Sequence, residues 1–298
     1  MLAEQLENAG HEVNKLETKN IPIKNLKNPS FTFLSTLRTI STTERYDIVH
    51  AFNIPSGFPM HFSKADKKIL SVHGVFSEQI KQLHSKYFGK IAEKTEKQIL
   101  RWADHLTTDS KFSQNLYFEK TGKKFDILPT PIDSKKLDEL PNIKKNSRQI
   151  IYLGRDSYEK GIDIIRKIEN QIDLDIIYST NLKWVDAMKN LMSSSIMVVP
   201  SRIDSLPTNV KEAFYLKIPV IATNVGGIPE LIQDKQTGIL IPPEDENSFI
   251  EGINLLLNNP ELTTKIVNNA YDFVEKSLTW KNILPKYLDY YKKALNEN

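Results

Sequence analysis

Cysteine is absent from this 298-residue chain. Its absence excludes a disulfide framework, a thiolate metal site and a cysteine nucleophile. Also missing is any run of about 18 apolar residues, so no segment reads as a transmembrane helix. The opening "MLAEQLENAGHEV" lacks the basic-then-apolar order of a secretory signal. These absences suit a cytoplasmic protein. No zinc-type spacing and no aromatic-basic signature is present, which argues against a nucleic-acid partner. Neither a P-loop nor a G-x-G-x-x-G fingerprint appears, and no Ser/His/Asp grouping has local support.

What is present is ordinary for a soluble protein: 40% hydrophobic and 26% charged residues. The length exceeds what one core usually fills, so two domains are expected. Charge separates the halves. Residues 1–147 carry 23 Lys/Arg against 17 Asp/Glu, a balance of +6; residues 148–298 carry 17 against 20, a balance of −3. The basic half suits an anionic acceptor or an acidic membrane surface; the plainer reading is a solvated, Lys-rich exterior.

Along the first half, "LAEQLENAGHEV" reads as a helix stopped by Gly10 and then a strand. "YDIVHAF", "KKILSVHG", "HLTTDS" and "FDILPTP" are short β-rich runs bounded by turn residues, with helical stretches between them, notably Tyr87–Ala103. The polar connector from Thr130 to Ser147, with Pro131 and Pro141, marks a domain boundary. The second half restarts with "RQIIYLG" and continues through "LDIIYS", "IMVVPS", "PVIAT" and "GILIPP", again alternating with helical patterns. Two parallel α/β domains are therefore predicted, at 1–140 and 148–280. A terminal helix over 281–298 is expected to pack back toward the first domain.

Ligands in parallel α/β sheets bind beyond the carboxyl ends of the strands, and the distinctive residues fall at such ends. In "YLGRDSYEKGIDII", Gly154 ends a strand, Arg155 and Lys160 bracket a loop, and Gly161 opens a helix. Fixed cations and backbone donors at a helix start suit a pyrophosphate; two solvated bases on a surface loop would look the same. In "VVPSRIDSLPTNVKEAF", Asn209 and Glu212 have capping-box spacing. The loop Asp204–Thr208 delivers amides near that helix start, where phosphate is favoured. Asp204 and Glu212 beside an anion site make sense as acceptors for sugar or ribose hydroxyls. In "ATNVGGIPEL", Gly226 and Gly227 allow close backbone approach and Pro229 suits a first helical turn. Glu230 would be stabilised there by the helix dipole alone. His73 and Gly74 follow an apolar strand in the first half, so His73 could serve a sugar hydroxyl, a phosphate or only the structure. His11, His50, His61, His84 and His105 belong to no constellation. The pair Asp173 and Asp175 resembles a metal-holding motif but leads into "IIY" and reads as a strand entry.

In this order the motifs resemble the retaining glycosyltransferases of family 4, whose GT-B fold sets two Rossmann-like domains face to face. The likeness rests on "GRDSYEKG", "PSRIDSLPTNVKEA", "PVIATNVGGIPELI" and "TGILIPPED", and more weakly on "DIVHAF", "SVHG", "ADHLTTDS" and "LPTPID". It implies transfer of a sugar from a nucleotide-sugar donor to a glycan, lipid-linked or small acceptor, without metal or other cofactor. It implies a cytoplasmic enzyme, peripheral at the inner membrane face if the basic half contacts lipid. Arg155 and Lys160 would hold the donor diphosphate, beside Gly154. Asp204 would face the donor sugar, and Glu212 would bind the ribose. Main-chain amides across Ser205, Leu206, Pro207, Thr208, Asn209 and Val210 would cradle sugar and phosphate, with Gly226 and Gly227 close by. His73 would stand opposite the donor sugar as a catalytic group with Arg155, Lys160 and Asp204.

Three departures stand out. Asp204 occupies a position where the family more often has Glu. The usual opening strand and Gly-rich loop are not seen before the first helix, so the N-terminal domain reads as incomplete. The stretch from Gly161 to Ser201 is short by about one strand–helix unit. The second departure keeps a second reading open, a non-catalytic subunit that binds nucleotide-sugar for a partner enzyme. A GT-B sugar-nucleotide epimerase is a third.

Overall fold

Residues 1–16, 27–74 and 86–297 are described by the computed structural model. They divide into two units, Met1–Pro129 with Leu284–Asn298, and Thr130–Ile283.

In the first unit, α1 (Leu2–Asn8) ends at a turn where Gly10 takes a φ of 90°. The strand expected next does not form: residues 11–16 are largely exposed and join no ladder. A strand needs a neighbour to satisfy its backbone, and none is present there among the described residues. The unit continues through α2 (Lys27–Ser41), β1 (Arg45–Phe52), α3 (Gly57–Phe62), β2 (Lys64–Val72), α4 (Lys86–Ile99), β3 (His105–Thr108), α5 (Lys111–Thr121) and β4 (Asp126–Ile127). The strands pair in parallel in the order β1-β2-β3-β4. Ser110 caps α5 by accepting from the Ser113 amide at 3.1 Å, and Gly122 closes it with a φ of 68°. Leu70, Val72, Ile99, Leu100, Tyr117 and Phe125 form the core.

In the second unit, α6 (Ser134–Asp138) precedes β5 (Gln149–Leu153), α7 (Ile162–Ile168), β6 (Asp175–Ser179), α8 (Trp184–Ser193) and β7 (Ile196–Val199). Then come α9 (Thr208–Tyr215), β8 (Val220–Thr223), α10 (Ile228–Leu231), β9 (Ile239–Ile241), α11 (Glu246–Asn258) and α12 (Pro260–Ser277). The five strands run parallel in the order β6-β5-β7-β8-β9. Every residue of β7 and β8 is buried, which is why both read as unbroken apolar runs rather than alternating ones. The connector before β5 belongs to this unit, so the division falls at Pro129/Thr130 rather than near residue 140. Three bonds tie the connector down. Lys211 Nζ donates to the Thr130 carbonyl at 2.6 Å, the Ile132 amide donates to Leu278 O at 2.9 Å, and Tyr215 Oη donates to Asp138 at 2.9 Å.

The last helix, α13 (Trp280–Asn296), runs through Pro285, and from Leu284 onward it belongs to the first unit. Its Tyr287 and Ala294 are buried. Tyr291 Oη bonds His50 Nδ1 at 2.6 Å, His50 Nε2 bonds Ser71 Oγ at 2.6 Å, and Ser71 Oγ bonds Thr107 Oγ1 at 2.5 Å. Burial, with a smaller effect from His73, pulls the His50 pKa down to about 3. His50 is thus a neutral structural histidine.

Candidate active site

In the sheet order of the second unit, β5 lies between β6, which follows it, and β7, which comes later. The connections therefore leave β5 and β7 in opposite directions, and the carboxyl ends of these two strands are where a sheet of this order binds ligands. The loop after β5 carries Gly154 to Gly161, and the loop after β7 carries Pro200 to Pro207.

These two loops meet closely. Lys160 Nζ donates to Asp204 Oδ2 at 2.5 Å. Gly161 has a φ of 66°, and a β-carbon there would lie 2.0 Å from the Pro200 carbonyl oxygen. Only glycine satisfies both constraints. The loop after β8 joins them: a β-carbon on Gly226 would lie 1.9 Å from the Asp204 carbonyl oxygen, and the Gly227 amide donates to that oxygen at 3.0 Å. Asp204 also accepts from Ser201 Oγ at 3.3 Å and from the Ser205 amide at 3.1 Å. Lys160, Asp204, Gly226 and Gly227 are thus brought together as one cluster.

Arg155 and Glu212 are held by other partners. The Arg155 guanidinium is largely exposed and pairs with Glu159 at 3.1 Å. Glu159 is buried, and its second carboxylate oxygen meets no donor among the described residues. Glu212 Oε1 accepts from Trp184 Nε1 at 2.8 Å. Burial raises the Glu212 pKa above the usual carboxylate value, an effect that the indole donor and the Lys211 charge oppose.

The capping box expected at Asn209 and Glu212 is not formed. Helix α9 starts earlier, at Thr208 after Pro207. The Asn209 amide instead donates to the Leu153 carbonyl at 2.6 Å, fastening α9 to the end of β5. Its side-chain oxygen accepts from the Val210 amide at 2.9 Å. Leu206, Pro207 and Val210 have buried side chains and Thr208 is exposed. The Ser205 and Val210 amides are therefore both engaged within the protein.

In the first unit, His73 follows β2, and its Nδ1 lies 3.4 Å from the buried Asp109 carboxylate without hydrogen-bond geometry. Its backbone amide donates to Asn53 Oδ1 at 3.4 Å. His11 is exposed, His61 stacks on Trp102 at 4.2 Å, and His105 lies 3.8 Å from Glu297. His84 lies outside the described residues. Asp173 pairs with Arg148 at 2.5 Å and Asp175 opens β6, as a strand entry should. Glu230 is exposed in the short α10.

Three residues of the second unit escape sequence reasoning. Arg202 grips Asp163 at 2.7 Å, pairs with Glu244 and covers the Tyr158 ring at 3.8 Å, clamping the two loops from outside. Its two carboxylates push its pKa higher still. Lys211 is fully buried on the Thr130 carbonyl. Trp184 holds Glu212. Arg202 sits inside "PSRIDS", but nothing nearby in sequence names its partners.

Residues 1–136 match the sequence model described as Glycosyltransferase Family 4, and residues 175–273 match Glycosyl transferases group 1. An uncharacterized glycosyltransferase of Methanocaldococcus jannaschii is 25% identical over 182 residues, which are 51% of this chain and 47% of that protein. The chain therefore aligns with about half of that relative's length. Sucrose-phosphate synthase from Thermosynechococcus elongatus superposes with a TM-score of 0.75 at 17% identity, over 98% of this chain and 91% of that one. HepE of Anabaena gives a TM-score of 0.70 at 13% identity, over 89% and 82%. Both likenesses speak to the fold.

Proposed function

The chain is a glycosyltransferase of the family 4 kind with the GT-B fold, and we propose that it moves a glycosyl group from a nucleotide-sugar donor to an acceptor, with retention at the anomeric carbon and without metal. The observation that carries this reading is the Lys160–Asp204 contact at the switch point of the second unit, locked by two glycines pressed on neighbouring backbone. HepE has been crystallised with UDP-glucose, which supports a nucleotide-sugar as the donor class.

Each residue has work suited to its chemistry. An ammonium carries three donors, so Lys160 can keep Asp204 and still meet a phosphate oxygen. Arg155, largely exposed on the same loop, adds a second cation. These charges would stabilise the diphosphate as it departs, the step at which fixed positive charge lowers the barrier. Asp204, with its carboxylate fixed by Lys160 and Ser201, accepts from the donor sugar. Glu212 accepts from the ribose. In the first unit, the His73 ring has the donor and acceptor chemistry to serve a donor-sugar hydroxyl.

On the acceptor side, positive charge gathers on α4, where Lys90, Lys94, Lys97 and Arg101 at its end are exposed. That face suits an anionic acceptor or a lipid surface bearing one. Among the described residues no helix is long and apolar enough to cross a membrane.

The test is donor turnover, measured with and without an acceptor panel, for wild type, Lys160→Ala and Glu212→Ala. Loss of one fixed charge-stabilising group lowers turnover by about 100-fold or more, and that is expected for Lys160→Ala. Glu212→Ala is expected to raise the donor KM. Wild-type rates in both variants would refute the site.

A further inference from the structure

Helix α8 begins at Trp184, directly after the loop that leaves β6. Strand β6 is the immediate neighbour of β5 and runs parallel to it, so this loop emerges on the same sheet edge as the loops of Lys160 and Asp204. Asn181, Leu182 and Lys183 on the loop are exposed, and Asn181 takes a φ of 55°. From the start of the helix the Trp184 indole reaches 28 residues along the chain to Glu212, at 2.8 Å.

Glu212 needs something to fix it. It is a partly buried carboxylate, and such a group gains from donors. Among the described residues Trp184 Nε1 supplies the one side-chain donor bonded to it, on Oε1. Oε2 accepts from no described residue, so its lone pairs stay available on the side the indole does not occupy. An indole N–H can only donate. It therefore fixes which oxygen faces the protein and favours the ionised carboxylate.

We propose that Trp184 is a positioning residue of the nucleoside subsite, whose N–H holds the Glu212 carboxylate so that Oε2 accepts from the ribose hydroxyls. This rests on the assignment of Glu212 to the ribose. The alternative is a tie between α8 and α9 with no bearing on nucleotide. The two differ in what they predict for a ribose against a deoxyribose.

Calorimetry with UDP, ADP and GDP, each beside its 2′-deoxy counterpart and with pyrophosphate as a ribose-free probe, separates them. Wild type should favour the tightest-binding ribonucleotide over its deoxy form by about tenfold, the worth of a hydrogen bond to a charged group. Trp184→Phe keeps a ring and removes the donor. It should bring that ratio to about twofold or less while leaving pyrophosphate affinity near wild type. Its nucleotide affinity should also fail at higher pH on the acid side, because a carboxylate without its donor protonates more easily.

Glu212→Ala completes the set. If it abolishes the ribose preference and Trp184→Phe does not, Trp184 has only a structural role and the proposal is overturned. If Glu212→Ala leaves the preference intact, or wild type shows none, the ribose assignment falls and takes the proposal with it. A Trp184→Phe protein that also loses pyrophosphate binding points to collapse of the loops. Trp184→His, which keeps a ring N–H, then decides: a restored ribose preference supports the proposal and its continued absence overturns it.

Discussion

At Glu212 folding and binding make opposite demands. Burial raises its pKa, so the native state holds this proton more tightly than the unfolded chain does. Stability from this group is therefore greatest below the ordinary value of 4.5 and declines as pH climbs through the raised native value. At neutral pH the ionised, buried carboxylate is a burden. Glu212→Gln keeps the shape and can still accept from Trp184, so its melting temperature at pH 7 should exceed that of wild type. The gain should vanish as pH falls through the raised value toward 4.5, while nucleotide affinity is reduced throughout. Thermal unfolding across that range checks it. Lys160 and Asp204 were legible because both sit within short motifs at strand ends. Trp184, Arg202 and Lys211 were not, since their partners Glu212, Asp163 with Glu244, and Thr130 lie 28 to 81 residues away. Such distances leave no periodicity to read.

Among the elements, the strands were the most legible. In the second unit they are short apolar runs between turn residues, and parallel burial on both faces makes that pattern strong. Weaker expectations failed where tertiary partners outweighed local spacing. Asn209 has the spacing of a cap, but the end of β5 offers its side-chain amide the Leu153 carbonyl, and the helix begins without a side-chain cap. The residues after Gly10 read as a strand yet join no ladder among the described residues. Loop geometry gives the element-scale prediction. Gly161→Ala and Gly226→Ala each place a side chain in the left-handed region, which costs about 1–2 kcal/mol for the backbone alone. The new β-carbons would also sit 2.0 Å and 1.9 Å from carbonyl oxygens. Chemical denaturation should show losses beyond that backbone figure in both variants, and donor turnover should fall with them as the loops part.

For the whole molecule, the alternation of strand and helix leads to an expectation of two α/β domains, and the chain divides into two units at Pro129/Thr130, where the polar connector begins. Lys211, Tyr215 and Leu278 tie that connector to the second unit. The first unit carries its own response to acid. His50 is neutral and buried, with its pKa lowered from 6.5 to about 3. The unfolded chain thus binds the proton first, and stability is lost as pH falls through 6.5 toward 3, with a slope approaching about 1.4 kcal/mol per pH unit. A thermal transition assigned to this unit should shift accordingly. His50→Gln should start lower at pH 7 and show a flatter profile; an unchanged acid slope would mean that other groups govern it.

The hydrogen bond from His50 to Tyr291 joins one of the earliest strands to nearly the last turn of helix. A ribosome making this protein releases β1 more than two hundred residues before Tyr291 emerges. Thr130–Ile283 is complete by then and can mature on the growing chain, whereas the pocket around His50 must wait, unfilled, until Tyr291 has been made.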